Sequence, residues 1–171
     1  MRPALRPLAL PAEHGGWGFL VEPLLLGLLV RPSIAGAFVA LAALFAFLTR
    51  QPLKYALQDA LRGKSYPRTR YCWTIASVYA VAAAAVLAIA IATGRPILII
   101  PFGLVAPLAI TVVLYDANNR SRSAFPEFAG AAAMSSTAAA VAIAGGTRIV
   151  PALALSAIIV ARSLPSIAYV R

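Results

Sequence analysis

The sequence predicts an all-α fold: a polytopic transmembrane bundle of about six helices with both termini cytoplasmic. Three observations carry that expectation. Of 171 residues, 61% are hydrophobic and only 12% charged, well below the roughly 25% charged residues of a soluble domain. The apolar residues fall into runs long enough to cross a bilayer. Basic residues outnumber acidic ones 15 to 5, and they gather in alternate connections, as positive-inside topology requires. This much apolar surface has too little polar surface to cover it in water, so a membrane is its simplest solvent. A chain of this length reads as a single transmembrane domain, residues 1–171. The net charge of +10 would suggest nucleic acid on a soluble chain. Here topology accounts for it, no nucleic-acid-binding motif is present, and no such partner is expected.

The elements follow in order, each span needing about 17–25 residues. Residues 1–13 form a short cytoplasmic tail. Arg2 and Arg6 resemble the basic start of a secretory signal, but Pro3, Pro7 and Pro11 interrupt any apolar core behind them. The stretch Trp17–Val30 is short unless it begins near His14. It carries Glu22 and Pro23, so a broken or partly re-entrant helix is one expectation for it. Next come Ser33–Thr49, Tyr71–Thr93, Pro96–Tyr115, Phe128–Gly146 and Pro151–Val170. Ser33 and Pro151 suit helix starts, and Gly94 and Gly145–Gly146 suit helix ends. Pro101, Pro107 and Pro165 are expected to kink or interrupt their helices. Between the spans lie a basic cytoplasmic loop, residues 50–70, and a polar cytoplasmic loop, residues 116–127. In the stretch 128–146, Ala132, Ser136, Ala140 and Ala144 recur every four residues. That spacing lets a neighbouring backbone, or a protein partner, approach closely, although an alanine-rich helix shows it without any partner. The single Cys72 excludes an internal disulfide.

With six spans, the side holding both termini carries twelve of the fifteen basic residues, Arg162 included, and the other side only Arg31, Arg95 and Arg148. The basic side is therefore expected to face the cytoplasm. Trp17, Tyr71, Trp73, Tyr115 and Tyr169 fall at helix ends on that same side, where amphipathic rings sit among headgroups.

The charged residues suggest where chemistry would lie. Glu13 and His14 precede Gly15, Gly16, Trp17 and Gly18; the pair suits a proton or a phosphate, or equally an interfacial tail. His14 is the only histidine, so a histidine-rich metal site is excluded. Glu22 and Arg162 each lie roughly 8–10 Å inside a span at 1.5 Å per residue. Equal depth makes them candidate partners, the alternative being that each reaches back to the headgroups. In the basic loop, which has six cations and one acid, Arg50, Lys54 and Gln58 are spaced by four. A helix starting near Pro52 brings them toward one face, a row suited to holding a phosphate or diphosphate. The alternative is a solvated loop on anionic lipid headgroups. In the polar loop, Asp116, Asn119, Arg120 and Glu127 crowd together. Oxygen ligands of this kind fit a divalent cation, while Asp and Asn also serve turns through local backbone bonds. No cofactor is expected from any motif, and Mg2+ at these carboxylates is the one the residues leave open. Walker, GxSxG, HExxH and CxxC patterns are absent, and the residues name no reaction.

The run PAEHGGWGFLVEPLLLGLLVRPS, followed by RQPLK, LYDANNRSRSAFPEFAG and RSLPSIAYVR, resembles the YwiC-like family of bacterial membrane proteins. Glu13, His14, Gly15, Trp17, Pro23 and Gly27 carry the specific part of the likeness. The resemblance implies a multi-pass protein of the bacterial cytoplasmic membrane and brings no activity with it. Members of that family continue with further apolar helices, so a chain ending at Arg171 would be a short or incomplete member. The layout is also topologically similar to UbiA-type prenyltransferases, which bind magnesium and a prenyl diphosphate through polar cytoplasmic loops. Arg50, Lys54 and Gln58 stand where that family places Asn and Asp. The departure argues against magnesium-dependent chemistry and leaves open direct binding of a diphosphate by cations. The functional expectation is a cytoplasm-facing site that binds or transfers an anionic, isoprenoid-like lipid or diphosphate. The alternatives are a small transporter or carrier subunit, and an accessory subunit of a larger membrane complex.

Overall fold

A chain in hydrocarbon must satisfy its own backbone, and helices do so within each segment. The computed structural model describes residues 6–11 and 14–170, and among them it contains helices and turns but no strand. A short α1 (Arg6–Ala9) is followed by α2 (His14–Val30), α3 (Ile34–Leu61) and α4 (Pro67–Thr93). A 3₁₀ turn (Pro96–Ile99) then leads into α5 (Ile100–Ala117), α6 (Ala124–Ala144) and α7 (Ile149–Val170). Five units are long and apolar enough to cross a membrane: α3, α4, the 3₁₀ turn with α5, α6 and α7. The chain is a multi-pass membrane protein. Its sixth apolar helix, α2, has 17 residues, about 25 Å at 1.5 Å per residue. It runs unbroken from His14 through Glu22 and Pro23.

Several boundaries follow from capping chemistry. Ser33 is the N-cap of α3, its Oγ accepting from Gly36 N at 2.9 Å. Gly94 closes α4, and Gly145 closes α6. The next residue, Gly146, has φ +101°, a left-handed conformation that costs glycine little.

Four expectations are corrected. The segment 50–70 is mostly helix: α3 continues through it to Leu61, and only residues 62–66 connect to α4. Pro52 sits inside α3 and does not start a new helix. An internal proline removes one backbone bond, a loss that membrane helices tolerate. The polar connection is likewise only residues 118–123, because α5 extends to Ala117 and α6 begins at Ala124. Pro101 falls in the first turn of α5, where its missing N–H would have had no intrahelical partner, so it starts a helix and does not kink one.

The core forms around α6, which touches α2, α3, α5 and α7. Its run Ala138–Ile143 is wholly buried. The small residues Ser136, Ala140 and Ala144 are buried inside the bundle. The face expected to receive a protein partner is thus taken up by the chain's own helices. α3 and α4 form a tight antiparallel pair, and α4 turns most of its remaining surface outward. Both ends of the bundle are tied. At one, Arg31 Nε donates to Gly145 O at 2.9 Å. At the other, Trp17 stacks edge-on against Phe47 with centroids 5.1 Å apart.

Candidate functional site

Helical spacing aims Arg50, Lys54 and Gln58 from α3 toward the turn between α5 and α6. All three reach it. Arg50 donates to Asp116 through Nε to Oδ2 at 2.7 Å and Nη2 to Oδ1 at 3.2 Å, the two-pronged geometry of a strong guanidinium–carboxylate pair. Lys54 Nζ donates to Ser121 Oγ at 2.8 Å, and Gln58 Nε2 to the Asp116 carbonyl at 2.7 Å. The row spaced by four is therefore a seam that joins α3 to the polar turn. Asp116 is only 2% exposed, so the seam lies inside the bundle's basic end.

Asn119 serves the turn itself. Its φ is +59°, a left-handed conformation that asparagine tolerates, and Arg120 N donates back to Tyr115 O at 2.9 Å. Neither Asn119 nor Arg120 lines the cleft that opens beside the seam.

That cleft has a volume of about 690 Å3. α2 contributes Gly16 and Phe19, α3 Arg50, the polar turn Ser121 and Arg122, α6 Pro126, Glu127, Gly130, Ala131 and Met134, and α7 Ile167. Glu127 is the acidic residue in the first turn of α6, where the helix dipole favours a negative charge. Next to the cleft runs an apolar groove of about 390 Å3 between α2, α3, α5 and α6, walled by residues such as Leu20, Phe47, Leu53, Phe102 and Val105. Arg50, Gly130 and Met134 line both spaces. A cleft of mixed polar and apolar lining thus adjoins an apolar groove, with one guanidinium at the junction.

Glu22 and Arg162 meet, Arg162 Nη1 donating to Glu22 Oε1, and they join α2 to α7. Neither lines the cleft. Their side chains are 38% and 62% exposed, so the pair lies on the outside of the bundle. Of the two single changes, Glu22→Gln leaves a bare guanidinium and Arg162→Gln a bare carboxylate. Folded yield in detergent is expected to fall further for each single than for the double variant. Simple addition of the two losses would show that the contact contributes nothing. Glu13 lies outside the described residues, as does the side chain of His14.

Sequence reasoning missed a second buried carboxylate. Asp59 is 0% exposed and accepts from Thr69 Oγ1 at 2.7 Å and Arg68 Nη2 at 3.1 Å. Arg68 is in turn held between the rings of Tyr55 and Tyr66, 5.4 and 5.3 Å from their centroids. This clasp closes the α3–α4 turn. Its signal in the sequence was a lone acid among six cations, which a burial argument would have paired with one of them. Arg122, Phe19, Gly130 and Met134 were also missed, because nothing local marks a residue that lines a space between helices.

Among the described residues, no three His, Cys, Asp or Glu side chains gather. Both Asp116 oxygens accept from Arg50. No buried side-chain polar atom among those residues lacks a partner.

The model of the family described as YwiC-like protein matches residues 10–142. No curated protein and no solved structure matches the chain. The matched region runs from just before α2 almost to the end of α6 and includes the whole Arg50–Asp116 seam. On a match spanning most of its length, the chain belongs to the YwiC-like family.

Proposed function

We propose that this protein binds, and holds for transfer, a membrane amphiphile with an isoprenoid-like or acyl chain and a phosphate-bearing head. The observation that carries the reading is the meeting of the polar cleft and the apolar groove at Arg50, Gly130 and Met134. Each space falls within the roughly 300–1,000 Å3 of ordinary ligand pockets. The chain would lie along Leu20, Phe47 and Phe102, exchanging one apolar environment for another. The head would sit against Arg50, Ser121 and Arg122, where guanidinium N–H groups match phosphate oxygens. The basic asymmetry of the sequence supports a cytoplasm-facing cleft in a bacterial inner membrane. A reporter fused at Gly94 that reads as cytoplasmic would overturn that orientation.

Gly130 gives a clean test because a Cβ there meets only Val112 Cγ2, at an ordinary 3.7 Å. Gly130→Phe adds bulk at the junction, and its Cβ meets no backbone of a neighbouring helix within 4 Å. Native mass spectrometry of the protein in mild detergent is expected to show a stoichiometric phosphorus-containing lipid on the wild type. The variant should have lost it by roughly tenfold, about 1.4 kcal/mol of binding. Equal lipid occupancy in both proteins would sink the proposal.

A further inference from the structure

The Glu22–Arg162 pair stands where a membrane protein accommodates charge least well. Glu22 is the central residue of the 17-residue α2, about 12 Å from either end at 1.5 Å per residue. Arg162 lies inside α7, a helix long and apolar enough to span, about 12 Å before its last residue. Ionisable side chains within such helices almost always face the bundle interior or a water-filled cavity, because hydrocarbon does not solvate them. These two do neither. They are paired with each other, partly exposed on the outer side of the bundle, and outside the cleft. α2 and α7 both lie on α6, and the surface around the pair is apolar. Leu25 and Leu29, one and two turns from Glu22, are exposed, as is Ile158, one turn from Arg162.

We infer that a second copy of this chain covers the α2–α7 face, in a dimer whose two-fold axis runs along the membrane normal between Glu22 and Arg162. Charge complementarity selects that occupant. Each copy presents a carboxylate and a guanidinium side by side on adjacent helices. A half-turn about an axis between them brings one copy's left side against the other's right. Each Glu22 then stands opposite the other copy's Arg162. The four charges alternate around the axis, and none is left against lipid. A carboxylate accepts several hydrogen bonds and a guanidinium donates five, so the bond within each copy persists when the second forms. A partner with a single charge on this face would match one member of the pair and repel the other. Polar contacts of this kind, set among apolar neighbours, hold membrane helices together.

The test uses the whole chain, purified in mild detergent and transferred to lipid nanodiscs, where native mass spectrometry is expected to find the wild type dimeric. Exchanging the charges, Glu22→Arg with Arg162→Glu, keeps the pair within a copy and the match between identical copies. A mixed dimer with the wild type sets like charges opposite one another. Co-expressed under two different tags, each form should capture its own kind roughly tenfold more than the other. Equal capture overturns the inference. If the exchanged form does not fold, a bulky change at the exposed Ile158 replaces it. Ile158→Trp should convert the dimer to monomer, while Val81→Trp, about as exposed on α4, should leave it dimeric. A monomeric wild type, a dimer that withstands Ile158→Trp, or a different protein bound in stoichiometric amount likewise overturns it.

Discussion

Asp116→Ala is expected to cost the folded protein about 3–5 kcal/mol, the usual penalty for removing one partner of a buried ion pair. The carboxylate is 2% exposed and the Arg50 side chain 28% exposed, so the guanidinium left behind cannot turn fully to water. Arg50→Leu should be damaging for the converse reason, since it strands a buried carboxylate in the last turn of α5. The double change Arg50→Leu with Asp116→Leu should be milder than Asp116→Ala alone, because apolar residues of similar bulk remove both desolvation penalties together. Gln58 retains its bond to the Asp116 carbonyl in every variant, which isolates the side-chain pair. Thermal unfolding in detergent measures all three. Additive losses would mean that the two side chains do not act as a unit.

Gly27→Leu is expected to abolish folded protein, and Gly27→Ala to cost about 1–3 kcal/mol by overpacking. A Cβ at Gly27 would lie 2.8 Å from Ala138 O and 2.8 Å from Val141 Cβ. The first of these is backbone in the wholly buried run of α6 and cannot step aside. Either α2 withdraws from α6 or the helices fail to associate. Gly18 in the same helix is the control. A Cβ there meets nothing within 4 Å, so Gly18→Ala should be neutral or stabilising by about 0.5–1 kcal/mol through helix propensity. Equal effects at the two positions, read as monodisperse yield and unfolding temperature, would remove close α2–α6 contact as the reason for Gly27.

The same residues show how far a linear reading reaches. Ser33, Gly94 and Gly145 act where the sequence places them, because capping depends on neighbours within a turn. The four-residue spacing of Arg50, Lys54 and Gln58 did put them on one face, and that face meets a partner. What spacing could not give was the partner's identity. The row looked like a bare site for phosphate, whereas Asp116, 66 residues away, already holds Arg50. Asp59 was passed over for the same reason: a single acid in a basic segment reveals neither its burial nor its bonds to Arg68 and Thr69.

The sequence by itself determined the solvent, the number of apolar helices and the alternation of the basic side. Each depends on hydrophobicity, chain length and charge, which add up residue by residue whatever the final packing. Only the tertiary structure decided that α6 is the central helix, that Gly27 sets its distance from α2, and that Glu127 and Arg122 share a cleft opening onto an apolar groove. Lipid is as apolar as a helix surface, so hydrophobicity alone does not select which helix faces a neighbour and which faces the bilayer. That choice rests on small residues that let backbones close up and on buried polar pairs, and both depend on which side chains lie opposite one another in space.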